Sequence, residues 1–196
     1  MRWWPAIGLA GLIVLGLAVG KGSTPVDDWF QELGRRHPEL RYLLLASDGR
    51  LLMAVSAVVI VAALIQRRRR LAVIAAVTPL AGVLAARLGK TLFGRVKEGG
   101  LCYPSGHTTV TVVVVAMTVL LVGVTVWAVV GAAAFLALAV IGQAVAYHYF
   151  TDAVGALLLG SALACLAVSA ARLDRRQTRM RAGSHRSLAW RNDSDV

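Results

Sequence analysis

The chain has 196 residues, 58% of them hydrophobic and 16% charged, with a mean hydropathy of +0.69. Soluble domains run at about 45–50% apolar and about 25% charged, so this composition excludes an ordinary soluble domain and points to an integral membrane protein. The net charge of +11 is concentrated at particular places. Arg67, Arg68, Arg69 and Arg70 form a block between apolar runs, and Arg172, Arg175, Arg176, Arg179, Arg181, Arg186 and Arg191 follow the last run. Basic residues beside spans fix orientation by the positive-inside rule and attract anionic headgroups. No nucleic-acid recognition module accompanies them, so nucleic acid is not an expected partner.

The first apolar run, Trp3 to Val19, starts after Met1 and Arg2 and has the look of a secretory signal, with "LAVGKGS" as a cleavage-like stretch. We read it as an uncleaved first span. In residues 21–40, Pro25 followed by Asp27 and Asp28 reads as a helix start, and Trp29, Phe30 and Leu33 seat a short amphipathic helix at the interface. A second span begins near Leu43 or Asp48 and continues through Leu51 to Ile65. A third runs from Leu71 to Leu88, with Arg87 near its far end, and a polar loop follows from Gly89 to Pro104.

Thr108 to Tyr147 is too long an apolar stretch for one span and suits two, with a break near Gly123 to Trp127. The last span covers about Ala153 to Val168. The expected fold is all-α: a polytopic membrane domain of six transmembrane helices over 1–173, and a basic cytoplasmic tail over 174–196. With the N-terminus, the arginine block and the tail in the cytoplasm, the loop from Lys90 to His107 and the turn from His148 to Asp152 both fall on the outer face.

Three polar stations need explaining. In "YPSGHTT", Ser105 or Thr108 caps a new helix with Pro104 just ahead of it. The free N–H groups of that helix start favour an anion such as phosphate, and Gly106 lets a ligand approach the backbone. His107 is then placed to donate a proton to a leaving oxygen; a plain helix cap with an incidental histidine is the other reading. In "HYFTD", His148 and Asp152 are four apart and share a face if the segment is helical. A carboxylate on one imidazole nitrogen frees the other to attack; an interfacial histidine and a capping aspartate are the alternative. In "KTLFGRVKEGG", Lys90, Arg95 and Lys97 place three cations in one outer loop, where positive charge is usually sparse. Such cations stabilise phosphoryl oxygens; a solvated basic loop is the other reading. Cys102 and Cys165 read as free thiols, since neither their spacing nor any ligand cluster suggests a metal site.

Together these stations resemble the type 2 phosphatidic acid phosphatase family, marked by a lysine with arginine-proline after six residues, by Pro-Ser-Gly-His, and by serine-arginine, five residues, histidine, three residues and aspartate. Lys90 matches the start of the first block and Arg95 the common Gly-Arg position inside it. Pro104, Ser105, Gly106 and His107 match the second, and His148 and Asp152 the end of the third. The likeness covers about Leu71 to Leu173. The arginine-proline pair is replaced by Lys97 and Glu98, and the serine-arginine pair by Ile141 and Gly142.

The resemblance implies a lipid phosphatase of the cell membrane working at the outer face. His148 would be the nucleophile that forms a phosphohistidine, Asp152 its orienting acid and His107 the general acid. Ser105, Gly106, Lys90, Lys97 and Arg95 would hold phosphate, with no metal or other cofactor. The implied substrate is a lipid phosphate or polyprenyl diphosphate. The missing arginines motivate a rival reading, a protein that binds or translocates a phospholipid carrier without hydrolysis.

Overall fold

The computed structural model describes residues 3–170, so the basic tail over 174–196 lies outside the described residues. All long elements are helices: α1 (Trp4–Val19), α2 (Pro25–Arg36), α3 (Gly49–Ile65), α4 (Arg69–Phe93), α5 (Gly106–Val122) and α6 (Val126–Ala146), then α7 (Phe150–Ala170). A 3-10 segment, Pro38–Ser47, leads into α3. One short hairpin, β1 (Val96–Lys97) and β2 (Gly100–Leu101), joins α4 to α5.

Four helical stretches are long and apolar enough to cross a membrane: Pro38–Ile65, Arg69–Phe93, Val126–Ala146 and Phe150–Ala170. The chain is therefore built as a membrane protein. The expectation of six spans is met by four. The other two apolar helices, α1 and α5, have 16 and 17 residues. At 1.5 Å per residue each is about 24–26 Å long, short of a hydrocarbon core of about 30 Å.

Local chemistry sets the boundaries. Thr24 and Asp27 close a capping box at the start of α2. Asp48 caps α3 by accepting from the N–H groups of Arg50 and Leu51. Gly94, at φ 61°, ends α4 in the left-handed conformation. Thr125 caps α6, so the break expected between Gly123 and Trp127 falls at Gly123–Thr125. The loop expected from Gly89 is shorter, because α4 runs on through Lys90 to Phe93 and the hairpin fills most of the rest. In that hairpin Glu98 and Gly99 both have positive φ, 49° and 81°, as a tight two-residue turn requires.

The main core joins α3, α4, α5 and α7 through Val59, Ala63, Ala75, Val113, Met117 and Ala164. A second cluster, Leu12, Ala86, Tyr103 and Leu159, seats α1 against the polar end of the bundle. There the Tyr103 hydroxyl donates to the Leu12 carbonyl at 2.6 Å. At the opposite end Arg68 donates to the carbonyls of Leu120 and Leu121, satisfying the end of α5. The arginine block and the three polar stations thus lie at opposite ends of the bundle.

Candidate active site

The site is assembled where the hairpin, the start of α5, the turn between α6 and α7, and the start of α2 converge. Its centre is a buried ionic row. Arg95 is fully buried and donates through Nη1 to Asp152 Oδ1 at 2.7 Å and through Nη2 to Asp27 Oδ2 at 2.8 Å. Its remaining N–H groups go to the Gly22 carbonyl, from Nε at 3.1 Å and Nη2 at 2.7 Å, and to Thr151 Oγ1 at 2.7 Å. A guanidinium has five N–H donors, and these partners use all of them. The phosphate-binding role expected of Arg95 is therefore corrected: it is a buried link between two carboxylates, with no donor left for an anion.

Asp27 is equally committed. It accepts from Thr24 N and Oγ1 on one side and from Thr151 N and Oγ1 on the other. Burial pushes its carboxyl up, but the hydrogen bonds from Thr151, Thr24 and Arg95 outweigh that and hold it below the usual carboxylate range.

His148 and Asp152 meet, though not as two residues on one helical face. His148 sits in the turn before α7, and Asp152 occupies the first turn of that helix. The chain reverses there because the Tyr147 and His148 N–H groups both donate to the Gln143 carbonyl. His148 Nδ1 then faces Asp152 Oδ2 at 3.6 Å. Nδ1 is buried and has no hydrogen-bond partner among the described residues. The His148 side chain is only 12% exposed. Asp152 Oδ2 also accepts from Tyr149 N at 3.2 Å, so the aspartate caps its own helix while facing the histidine.

Pro-Ser-Gly-His is tied to the same point, since Ser105 N donates to the Asp152 carbonyl at 3.2 Å. The Ser105 side chain is fully buried and serves as the α5 cap, accepting from Thr108 N and Thr108 Oγ1. It acts on the helix rather than as an exposed phosphate ligand. The backbone N–H groups of Gly106 and His107 have no acceptor among the described residues. They supply the unpaired donors expected of a helix start.

Lys97 also faces inward. Its Nζ is buried with no hydrogen-bond partner among the described residues, and it lies 5.2 Å from the centre of the Tyr149 ring. Arg95 Cζ lies over the same ring at 4.4 Å. Burial pulls the Lys97 ammonium below the ordinary lysine range, against the nearby carboxylates of Glu98 and Asp152. Glu98 cannot be a proline here, because its φ of 49° is far from the value a proline ring fixes. Cys102 is a free thiol beside the row, pushed up to about 12 chiefly by burial and further by Asp152. It is inert at neutral pH.

A cavity of about 750 Å³ opens between α3, α4 and α5. Most of its wall is apolar, including Leu52, Ile60, Ala76, Leu80 and Val83. One region of that wall is polar: Arg87, Lys90, Gly106 and His107. His107 also feels the charges of His148, Lys90 and Asp48.

Gly142 has no room for a side chain. A Cβ there would lie 2.6 Å from the Leu43 carbonyl carbon in the 3-10 segment. Sequence reasoning missed Asp27, Thr151 and Gln31. Gln31 Nε2 donates to the carbonyls of Ala144 and His148 at 2.7 and 3.1 Å, clamping α2 onto the turn. Asp27 was visible only as a helix-start acid; its long-range partners carry no local signal.

No protein-family model, no curated protein and no solved structure matches this chain. The catalytic reading therefore rests on the residues and on their geometry.

Proposed function

We propose that the protein is a membrane phosphatase that hydrolyses a lipid phosphate or polyprenyl diphosphate at the outer face, through a phosphohistidine, in the manner of the type 2 phosphatidic acid phosphatases. The observation that carries the reading is the contact of a buried His148 Nδ1 with Asp152 Oδ2 at 3.6 Å. At 3.6 Å the two are not hydrogen-bonded, but a carboxylate facing Nδ1 favours the proton there by charge and leaves Nε2 with a lone pair for attack on phosphorus. His107, beside Lys90 and Gly106 on the cavity wall, would protonate the leaving oxygen. Lys90, Lys97 and the N–H groups of Gly106 and His107 would meet the phosphoryl oxygens. The apolar remainder of the cavity suits a hydrocarbon tail.

In this reading α1 and α5 act as short spans, completing six. The N-terminus and Arg67 to Arg70 are cytoplasmic, and the His148 end faces outward. Trp29, 59% exposed on α2, sits at the outer interface. The second reading, a carrier-lipid binder or translocator without turnover, is motivated by Lys97, Glu98, Ile141 and Gly142 standing where the resembled family carries its arginine-proline and serine-arginine pairs.

Phosphate release by the purified full chain in detergent, with chelator, across lipid phosphates and diphosphates, separates the two. Release that is lost in His148→Ala supports the enzyme. Lipid binding without release, unchanged in His148→Ala, supports the binder.

A further inference from the structure

Asp27 belongs to none of the motifs used above, yet it ends the buried row that reaches His148. The row has one cation, Arg95, between two carboxylates, at 2.8 Å from Asp27 and 2.7 Å from Asp152. All three side chains are fully buried, where charges are poorly screened and each interaction is strong. The formal sum is one negative charge shared between the two ends. Without Asp27, Arg95 and Asp152 would form a neutral pair, and the pull of Asp152 on the Nδ1 proton of His148 would weaken.

The neighbouring groups do not supply that charge from elsewhere. Lys97 from the hairpin, Lys90 from α4 and His107 from α5 are bases, while Cys102 and Tyr149 are held neutral. Of the other acids there, Glu98 is exposed on the hairpin turn, and Asp48, which acts on His107, is committed to capping α3. Asp27 is also locked in place. Thr151, next to Asp152 in the chain, donates to it from both N and Oγ1 at 2.9 and 3.0 Å.

We propose that Asp27 is a positioning residue for the nucleophile: by balancing Arg95 it leaves the buried row with a net negative charge facing His148, which keeps the proton on Nδ1. The inference rests on the reading of His148 as the nucleophile, but its central claim, the state of the imidazole, can be read without turnover.

The test uses the full chain, purified in detergent and labelled with 15N-histidine. Ring 15N shifts report which nitrogen carries the proton, and His148→Ala identifies the signal. Wild type should show the Nδ1–H form. Asp27→Asn, folded by its thermal midpoint, should shift His148 towards the Nε2–H form. It should also lower kcat about tenfold, with KM changed by less than about twofold. Adding Arg95→Gln to Asp27→Asn removes the unbalanced cation and should restore the Nδ1–H form and most of kcat.

A folded Asp27→Asn with the wild-type tautomer overturns the proposal, and so does a double variant no better than the single. Should Asp27→Asn alone not fold, the double variant decides: the Nδ1–H form supports the proposal and its loss overturns it. A wild type that releases no phosphate sinks the phosphatase reading, while the tautomer result still stands for Asp27.

Discussion

Arg95 Nη1 donates to Asp152 Oδ1 at 2.7 Å, and both side chains are wholly enclosed. Removing one partner of a buried pair strands the other charge and costs about 3–5 kcal/mol. Arg95→Ala would strand two carboxylates at once. We expect it to lower the thermal midpoint in detergent sharply, and more than Lys97→Ala does. Equal midpoints for the two variants would show that the row contributes little.

Lys97 gives a pH dependence with a definite sign. Burial lowers its ammonium below the ordinary lysine range. It is charged below that lowered value and neutral above it, so its grip on an anion is lost as pH rises through a value below the ordinary lysine one. Competitive inhibition by inorganic phosphate should therefore weaken on the alkaline side of neutrality. Lys97→Arg, which stays charged, should remove that weakening. Identical alkaline profiles for both proteins would contradict the assignment.

Gly142 marks a place where adding any side chain should harm. A Cβ at 2.6 Å from Leu43 must push the 3-10 segment away from α6. Overpacking of this kind costs about 1–3 kcal/mol. Gly142→Ala should lower the thermal midpoint, and Gly142→Arg should lower it further without raising activity. A more active Gly142→Arg would show that the segment yields and that an arginine at this position assists the reaction.

The apolar cavity predicts a split between substrates. Ala76 lines it away from His107 and Lys90. Ala76→Trp should raise KM for long-tailed lipid phosphates by about tenfold, the scale of a few buried methylenes. A short water-soluble phosphate ester should be unaffected. Equal effects on both would mean that the tail lies elsewhere.

Much of this was legible in the sequence, for physical reasons. Runs of lipid-compatible length announced the helices, Pro25 with Asp27 and Asp28 and the cap residue Ser105 announced helix starts, and Asp48 marked a candidate span start. Ser105 and Asp152 do meet, as the expectation of both stations on one side of the membrane requires, and charge bias between loops is what made that expectation possible from the sequence. The hairpin at 96–101 was not legible, since each strand has two residues and its turn lacks the usual asparagine or aspartate. His148 was expected on a helix with Asp152, but the turn held by Gln143 brings them together instead. Arg95 was misread because its partners lie 57 and 68 residues away. A cation's job depends on what surrounds it, and no local pattern records that.

The central claim is that His148 is the nucleophile. The direct measurement is to mix the purified protein briefly with a lipid phosphate carrying a radiolabelled phosphoryl group, quench in alkali, and locate the label. The account expects label on the protein that survives alkali, is released by mild acid, maps to the peptide holding His148 and is absent from His148→Ala. Phosphate release at full rate by His148→Ala, or label on another residue, would contradict it.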